Sequence, residues 1–306
     1  MDSNALSYSK IKHFIIRSAT RATLSNVNAF SNCPIKFEEG GIYVPSTLLD
    51  SYKSATNWST YAANIYPIVL DENNEVILRT NFDTIEDSWE DILAAEEDGT
   101  YSTKYSVGDT KSVEIGDKTV KMQIAAFDAD TIAGTSDKAK ITWVCKNLYT
   151  DSKRMNATAT TAGGWPASAM YSYLNDSTNG IYNSIDSTVK AAIKTVVKPY
   201  WDAATSTEET SNDKLWLFSN QELNLITSGN YHKEDGGVTY SGLFSTASNS
   251  SSTNRVKYNS SGSGDSWWLR SSYSSSNFVY VGYNGGANTT EANNASAGGV
   301  VFGFCT

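Results

Sequence analysis

The segment that most constrains this chain lies near its end, at residues 271–299. Of these 29 positions six are Ser, five Asn, five Gly, four Ala, three Tyr and two Thr, and only Glu291 is charged. Such a composition would suit a solvated linker. Its neighbours forbid that reading. Trp267-Trp268-Leu269-Arg270 stands before it, Val300-Val301-Phe302-Gly303-Phe304 after it, and Phe278-Val279-Tyr280-Val281 within it. All three runs read as strands, so the polar residues are held at both ends and in the middle. Tyr offers large, rigid contact area at small entropic cost, while Ser, Asn and Gly offer adaptable hydrogen bonding. Polar loops on a rigid frame are where binding generally resides. The segment therefore reads as a ligand-contacting surface.

The rest of the chain is rich enough to supply that frame. Among 306 residues 40% are hydrophobic and 12% aromatic, with 8 Trp, 18 Tyr and 10 Phe. A net charge of −9 without any basic cluster argues against a nucleic-acid partner, since phosphate recognition draws on grouped Lys and Arg. No apolar run approaches the length of a membrane span, so no membrane insertion is expected. Phe14-Ile15-Ile16 is interrupted by Arg17 and no signal-peptide pattern follows, which reads as a soluble, cytosolically made chain. Cys33, Cys145 and Cys305 are odd in number and widely spaced, which suits buried thiols better than a disulfide framework or a zinc site.

Patterning along the chain predicts an α+β fold with an antiparallel sheet and helices outside it. Residues 1–70 form a small module. In it Ile42-Tyr43-Val44 is a strand stopped by Pro45, Ser46 caps a helix carrying Leu48, Leu49 and Tyr52, and Trp58, Tyr61 and Ile65 space a second short helix. Residues 71–100 carry eleven acids against the single base Arg79 and read as an acidic helical connector, with Ile85, Trp89, Ile92 and Leu93 on its apolar face. Residues 101–306 form the main domain. Val113 and Ile115, then Val120, Met122, Ile124 and Ala126, alternate on two strands joined at Gly116-Asp117, and Ile141, Trp143 and Cys145 alternate on a third. A helix is expected from Trp165-Pro166 through Leu174, and a longer one from Ile185 to Val197, ended by Lys198-Pro199. Leu215–Phe218 reads as a strand, and Ser219 with Glu222 as the capped start of a short helix.

Two resemblances sharpen these expectations. Ile42-Tyr-Val-Pro-Ser46 and Tyr52-Lys-Ser-Ala-Thr-Asn-Trp-Ser-Thr-Tyr61 resemble the closing unit of bacterial surface leucine-rich repeat proteins. This implies a capping or attachment module through which residues 1–70 would reach a partner. From about residue 85 onward, Tyr105-Ser-Val-Gly-Asp109, Met122-Gln-Ile-Ala125, Leu215-Trp-Leu-Phe-Ser219 with Glu222-Leu223, Trp267-Trp-Leu-Arg270 and the closing Gly299-Val-Val-Phe-Gly-Phe304 resemble C-type-lectin-like domains of gut Firmicutes and their phages. Within that family, an Asn/Ser/Tyr/Gly-rich ending resembles the variable proteins of diversity-generating retroelements, in which adenine-directed mutagenesis scatters Asn codons. The resemblance implies a receptor-binding protein of a phage tail or a bacterial surface, with a protein or glycan on a target cell as its ligand. The variable, ligand-contacting positions would be Tyr273, Ser274, Ser275, Ser276, Asn277, Tyr280, Tyr283, Asn284, Gly285, Ala287, Asn288, Thr289, Asn293, Asn294, Ala295 and Ser296. Gly286 and Glu291 fit less well and would be fixed. Trp267, Trp268, Leu269 and Phe302 would be the scaffold. Variation of this kind must fall on exposed residues, because core truncations cost several kcal/mol.

Catalytic patterns are missing. His13 and His232 stand far apart and no Cys or carboxylate pattern of a metal or nucleophile site surrounds them, and neither a nucleophile elbow nor a phosphate-binding glycine loop occurs. Calcium-dependent lectins use Glu-Pro-Asn, Gln-Pro-Asp and Trp-Asn-Asp signatures, none of which is present, so no metal and no cofactor is expected. Asp128 and Asp130 read as turn-capping residues. Two alternatives stay open: a fixed carbohydrate- or protein-binding domain of the same fold, and an enzyme using Asp128, Asp130 or Glu222.

Overall fold

A computed structural model describes the chain except for residues 1–5, 7–8, 10, 32, 34, 36–39, 71–72, 77–83, 226–231, 233, 235, 295 and 297. It divides into two compact units, Met1–Phe82 and Asp83–Thr306. The boundary falls inside the acidic stretch 71–100. The part of that stretch from Ile85 onward belongs to the second unit, where Ile85, Ile92 and Ala95 are buried in its core.

The first unit is built on a parallel sheet of β1 (His13–Ile15), β2 (Gly41–Val44) and β3 (Ile65–Pro67), in that order, rather than on antiparallel strands. Between β2 and β3 run a 3-10 turn at Ser46–Leu48, helix α1 (Leu49–Ser54) and a second 3-10 segment at Trp58–Asn64. Ser46 is not a cap. The chain turns at Pro45, so Ser46 is already the first residue of the turn and its side chain makes no capping bond. Ile65 likewise opens β3 instead of extending a helix. Tyr52 lies edge-on to Trp58 at 5.1 Å and Phe30 edge-on to Tyr61 at 5.3 Å, which gives this small unit an aromatic core. The Tyr52 hydroxyl accepts from the Ala22 amide (2.8 Å) and the Trp58 indole donates to the Ala22 carbonyl (2.8 Å).

In the second unit helix α2 (Trp89–Glu97) opens with a capping box, in which the Asp91 amide donates to the Ser88 hydroxyl and the Ser88 amide to the Asp91 carboxylate. Its Trp89 meets Trp143 edge-on at 5.0 Å, so one face of the acidic helix is committed to the core. A short helix α3 (Tyr101–Lys104) follows. The main sheet is antiparallel and five-stranded. Strands β4 (Thr110–Ile115) and β5 (Lys118–Phe127) pair around Gly116, which holds φ +63°, and β5 pairs with β6 (Ile141–Cys145). The sheet is completed by β9 (Trp216–Leu217) and β15 (Phe302–Cys305), in the order β4-β5-β6-β15-β9. The mixed α+β class read from the sequence is the class observed.

Two helices differ from expectation. Helix α4 (Ala169–Asn175) begins three residues after Pro166, where the Ser168 hydroxyl accepts from the Tyr171 amide at 3.0 Å. Helix α5 (Ser187–Ala192), capped by Asp186, is half the length expected, and Val196–Asp202 is strand β7. The reason is local. Thr195-Val196-Val197 is β-branched, Pro199 drives Lys198 into extended backbone, and β8 (Thr207–Asp213) supplies seven ladder partners. No helix follows Ser219 either. The Ser219 hydroxyl accepts from the Glu222 amide and the Glu222 carboxylate from the Ser219 amide, but they close only a turn. Among the described residues no helix is long and apolar enough to cross a membrane.

Candidate ligand-binding surface

Between β9 and β15 the chain makes a long excursion, and it carries the segment singled out by sequence. A short ladder, β10 (Lys257–Tyr258) with β11 (Gly264–Asp265), precedes a three-stranded antiparallel sheet of β12 (Trp267–Ser272), β13 (Asn277–Val281) and β14 (Ala287–Glu291). The scaffold residues Trp267, Trp268, Leu269 and Phe302 are fully buried, as are Phe278, Val279 and Val281. Trp267 meets Phe218 edge-on at 5.4 Å and donates through its indole to the Arg255 carbonyl; Trp268 donates to the Lys153 carbonyl at 2.6 Å.

The register sorts the remaining positions into two groups at opposite ends of this sheet. At one end the β12–β13 turn holds Tyr273, Ser274, Ser275, Ser276 and Asn277. The Ala292 amide donates to the Ser276 carbonyl, and this brings Asn293, Asn294 and Ser296 alongside. At the other end the β13–β14 turn holds Tyr283, Asn284 and Gly285 next to Ala287 and Asn288. The pairs Asn277↔Glu291 and Val281↔Ala287 bound the ladder, so the ends lie roughly 14 Å apart at about 3.4 Å per residue. Thr289 lies between them on the edge strand β14, and Tyr280, half-buried, leans on Trp268 at 6.1 Å. Ser275, Tyr283, Asn284, Asn288, Asn294 and Ser296 are exposed, Tyr283 at 69%. Tyr273, Ser274, Ser276, Asn277, Ala287, Thr289 and Asn293 are partly exposed, and Ala295 lies outside the described residues. Glu291 is exposed too, and Gly286 is buried.

Gly285 departs from the others. It is buried at φ +80°, and a Cβ there would stand 1.9 Å from the Ser252 carbonyl oxygen. No side chain fits, so this position is unsuited to variation.

The segment is anchored from outside itself, and through its backbone. Buried Thr161 donates its hydroxyl to the Ser274 carbonyl (2.8 Å) and its amide to the Ser275 carbonyl (3.0 Å). The Asn156 amide holds the Ala292 carbonyl at 2.9 Å, and the Asn249 carbonyl accepts from the Ala287 amide at 2.9 Å. Arg255, fully buried, donates to the carbonyls of Gly285 (2.9 Å), Ser250 (2.6 Å) and Thr246 (3.4 Å), tying the β13–β14 turn to the loop before it. Burial lowers the pKa of this guanidinium. Sequence reading missed Arg255; its only signal was a base, with Lys257 two residues on, inside a Ser/Asn-rich stretch.

A buried charge cluster holds β12 to the rest of the core. Arg270 forks onto Glu222 at 2.6 and 3.0 Å and also bonds the Pro199 and Leu217 carbonyls. Lys198 meets Asp130 at 2.5 Å, Glu222 at 3.0 Å and the Tyr240 hydroxyl at 2.7 Å. Burial pushes the Glu222 carboxyl up, but Arg270 and Lys198 outweigh it and bring the pKa down to about 2. Glu234, also buried, is raised by desolvation against the pull of Arg270, and it accepts from the Ser271 hydroxyl. Asp130 is therefore not the turn cap expected from its sequence setting. Asp128, at φ +48°, accepts from the Tyr101 hydroxyl at 2.7 and 2.6 Å. Among the described residues no group of three His, Cys, Asp or Glu side chains is arranged to hold a metal. His232 is stacked on Trp201 at 3.9 Å, and Cys33, Cys145 and Cys305 are free and buried.

No curated protein and no solved structure matches the chain. One family does, over residues 138–300. That span covers just over half of the chain and takes in β6 through β14, Arg255, three of the four charged members of the core cluster and the whole polar segment. On that match the chain belongs to the family described as a domain of unknown function (DUF6273).

Proposed function

We propose that this chain is a receptor-binding protein whose C-terminal surface is diversified by a retroelement, on a C-type-lectin-like domain of a phage tail or bacterial surface, and that it recognises a protein or glycan on a target cell without catalysing a reaction. One observation carries the reading. The polar segment is fixed through its main chain by groups outside it, Thr161, Asn156, Asn249 and Arg255, while its polar side chains at Ser275, Tyr283, Asn288, Asn294 and Ser296 are exposed. Such anchoring is indifferent to which side chains the segment carries, and that is the property a diversified surface requires. The excursion also leaves and rejoins the main sheet through adjacent strands, β9 and β15, which suits a lectin-like frame presenting a long insertion. Two patches about 14 Å apart, joined by an edge strand, suit a broad ligand better than a small molecule in a pocket.

The test is to sequence the last 120 or so bases of the gene, with its flanking DNA, across a natural population. Substitutions should concentrate at the exposed codons, spare Gly285, Trp267 and Trp268, and lie beside a near-repeat and a reverse-transcriptase gene. An invariant segment with neither element nearby would remove the diversification and leave a fixed surface-binding domain.

A further inference from the structure

The buried cluster beneath β12 contains a pair set up for covalent chemistry that the binding surface does not use. Lys198 and Asp130 are 1% and 4% exposed and 68 residues apart, with Nζ 2.5 Å from Oδ1. That contact is shorter than the roughly 2.7–2.9 Å of an ordinary charge-assisted bond. With a C–O bond of about 1.23 Å, it places Nζ no more than about 3.7 Å from the Asp130 carboxyl carbon. Reacting atoms held some 3–3.5 Å apart constitute a near-attack arrangement.

The surroundings complete the set. The other oxygen of Asp130 accepts from the Thr142 hydroxyl (2.6 Å) and the Tyr240 hydroxyl (3.0 Å), donors able to stabilise charge on a tetrahedral carbon. Glu222, kept ionised by Arg270, stands 3.0 Å from the same Nζ and can carry a proton. The Trp216 ring lies 3.7 Å from Nζ, closing the pocket with apolar surface.

From this geometry we infer that Lys198 and Asp130 join in an intramolecular isopeptide bond. A proton passes from the ammonium to the Asp130 carboxylate across their contact, giving an amine and a carboxylic acid. Burial alone would lower the Lys198 pKa, but Asp130 and Glu222 hold it up, so this transfer is the uphill step that the bond formation must draw forward. The Nζ lone pair forms a bond to the Asp130 carboxyl carbon. Glu222 takes the remaining excess proton from nitrogen and delivers it to the departing hydroxyl. The carbon–oxygen bond breaks and one water leaves. Amine and acid become amide and water, with no oxidant or co-reactant. Because the site excludes bulk solvent, the amide is protected from hydrolysis. The link ties the turn after β5 to β7, fixing the core on which the binding surface rests.

Intact-mass measurement on the full chain under denaturing conditions decides the matter. The expected mass lies one water, about 18 Da, below the sequence mass, and proteolysis yields a branched peptide joining Lys198 to Asp130. Lys198→Met should carry its full sequence mass whether or not it folds, since it lacks the nucleophile. A wild-type chain at its full sequence mass overturns the inference. So does a deficit that persists in Lys198→Met or that maps to other residues.

Discussion

If the side chains of the polar segment are free to vary, replacing several at once must leave the fold nearly untouched. Consider Ser275→Tyr, Tyr283→Ser, Asn288→Ser and Ser296→Asn in one chain. All four residues are exposed, and the one that takes part in the anchoring, Ser275, does so through its carbonyl, which the replacement keeps. Exposed substitutions generally shift stability by no more than about 0.5 kcal/mol each, in either direction. Four unfavourable ones would cost about 2 kcal/mol, and mixed signs about 1. For a unit the size of Asp83–Thr306 the latter is roughly 2–4 °C of melting temperature. Phe278→Ala, one residue away from this surface but fully buried, should cost about 3–5 kcal/mol. Thermal unfolding followed by near-ultraviolet circular dichroism would compare wild type, the quadruple variant and Phe278→Ala. The expected order is a small shift for four changes and a severalfold larger one for the single core change. A quadruple variant as damaged as Phe278→Ala would refute the reasoning, because the exposed side chains would then be part of what holds the sheet together.

Gly285→Ala should destabilise by more than about 2 kcal/mol, since left-handed backbone alone costs an L-residue about 1–2 kcal/mol and the new Cβ meets the Ser252 carbonyl; a melting temperature equal to wild type would count against the Gly285 geometry. Arg255→Met strands three carbonyls, worth on the order of 3 kcal/mol, and should raise hydrogen exchange at 246–252 and 282–287 before any other part of the unit loosens. Burial raises Glu96 to about 7 and Asp213 to about 6, so both favour the protonated, folded state. Their stabilisation is complete below about pH 4 and is lost as the pH rises through 6 and 7, and Glu96→Gln with Asp213→Asn should flatten that decline in a pH series of melting temperatures.

Elements with an apolar signature were legible in the sequence, and elements without one were not. β4, β5 and β6 alternate apolar and polar residues, and β12, β13 and β15 are apolar runs. By contrast, β8 reads Thr-Glu-Glu-Thr-Ser-Asn-Asp and β14 reads Ala-Asn-Thr-Thr-Glu. Both owe their form to a partner strand, not to a buried face of their own, and periodicity cannot report a partner. The helix misread over Ile185–Val197 failed for the same reason: the apolar spacing was real, but β8 captured its second half. Composition marked out the polar segment, because exposure and small polar side chains go together. It could not mark Gly285, whose constraint comes from Ser252 thirty-three positions earlier. Nor could it assemble Asp130, Lys198, Glu222 and Arg270, which meet only through the fold.

These two groups, legible surface and illegible core, answer opposite requirements. On the proposed function, a surface that changes from copy to copy can contribute little to stability through its side chains, so the energy that fixes it must come from elsewhere. The chain supplies that energy through main-chain bonds to the segment and through the buried Arg270–Glu222 fork on the neighbouring strand β12. Breaking such a buried pair by removing one partner costs about 3–5 kcal/mol, several times the effect of an exposed change. Positions such as Thr161, Arg255 and Arg270 are therefore under tighter constraint than the exposed residues they support, although none of them has its side chain on the exposed surface. Selection on binding would act on Ser275, Tyr283 and Asn288, and selection on folding on their anchors. The two can proceed independently because the bonds between them run through carbonyls that every residue type possesses.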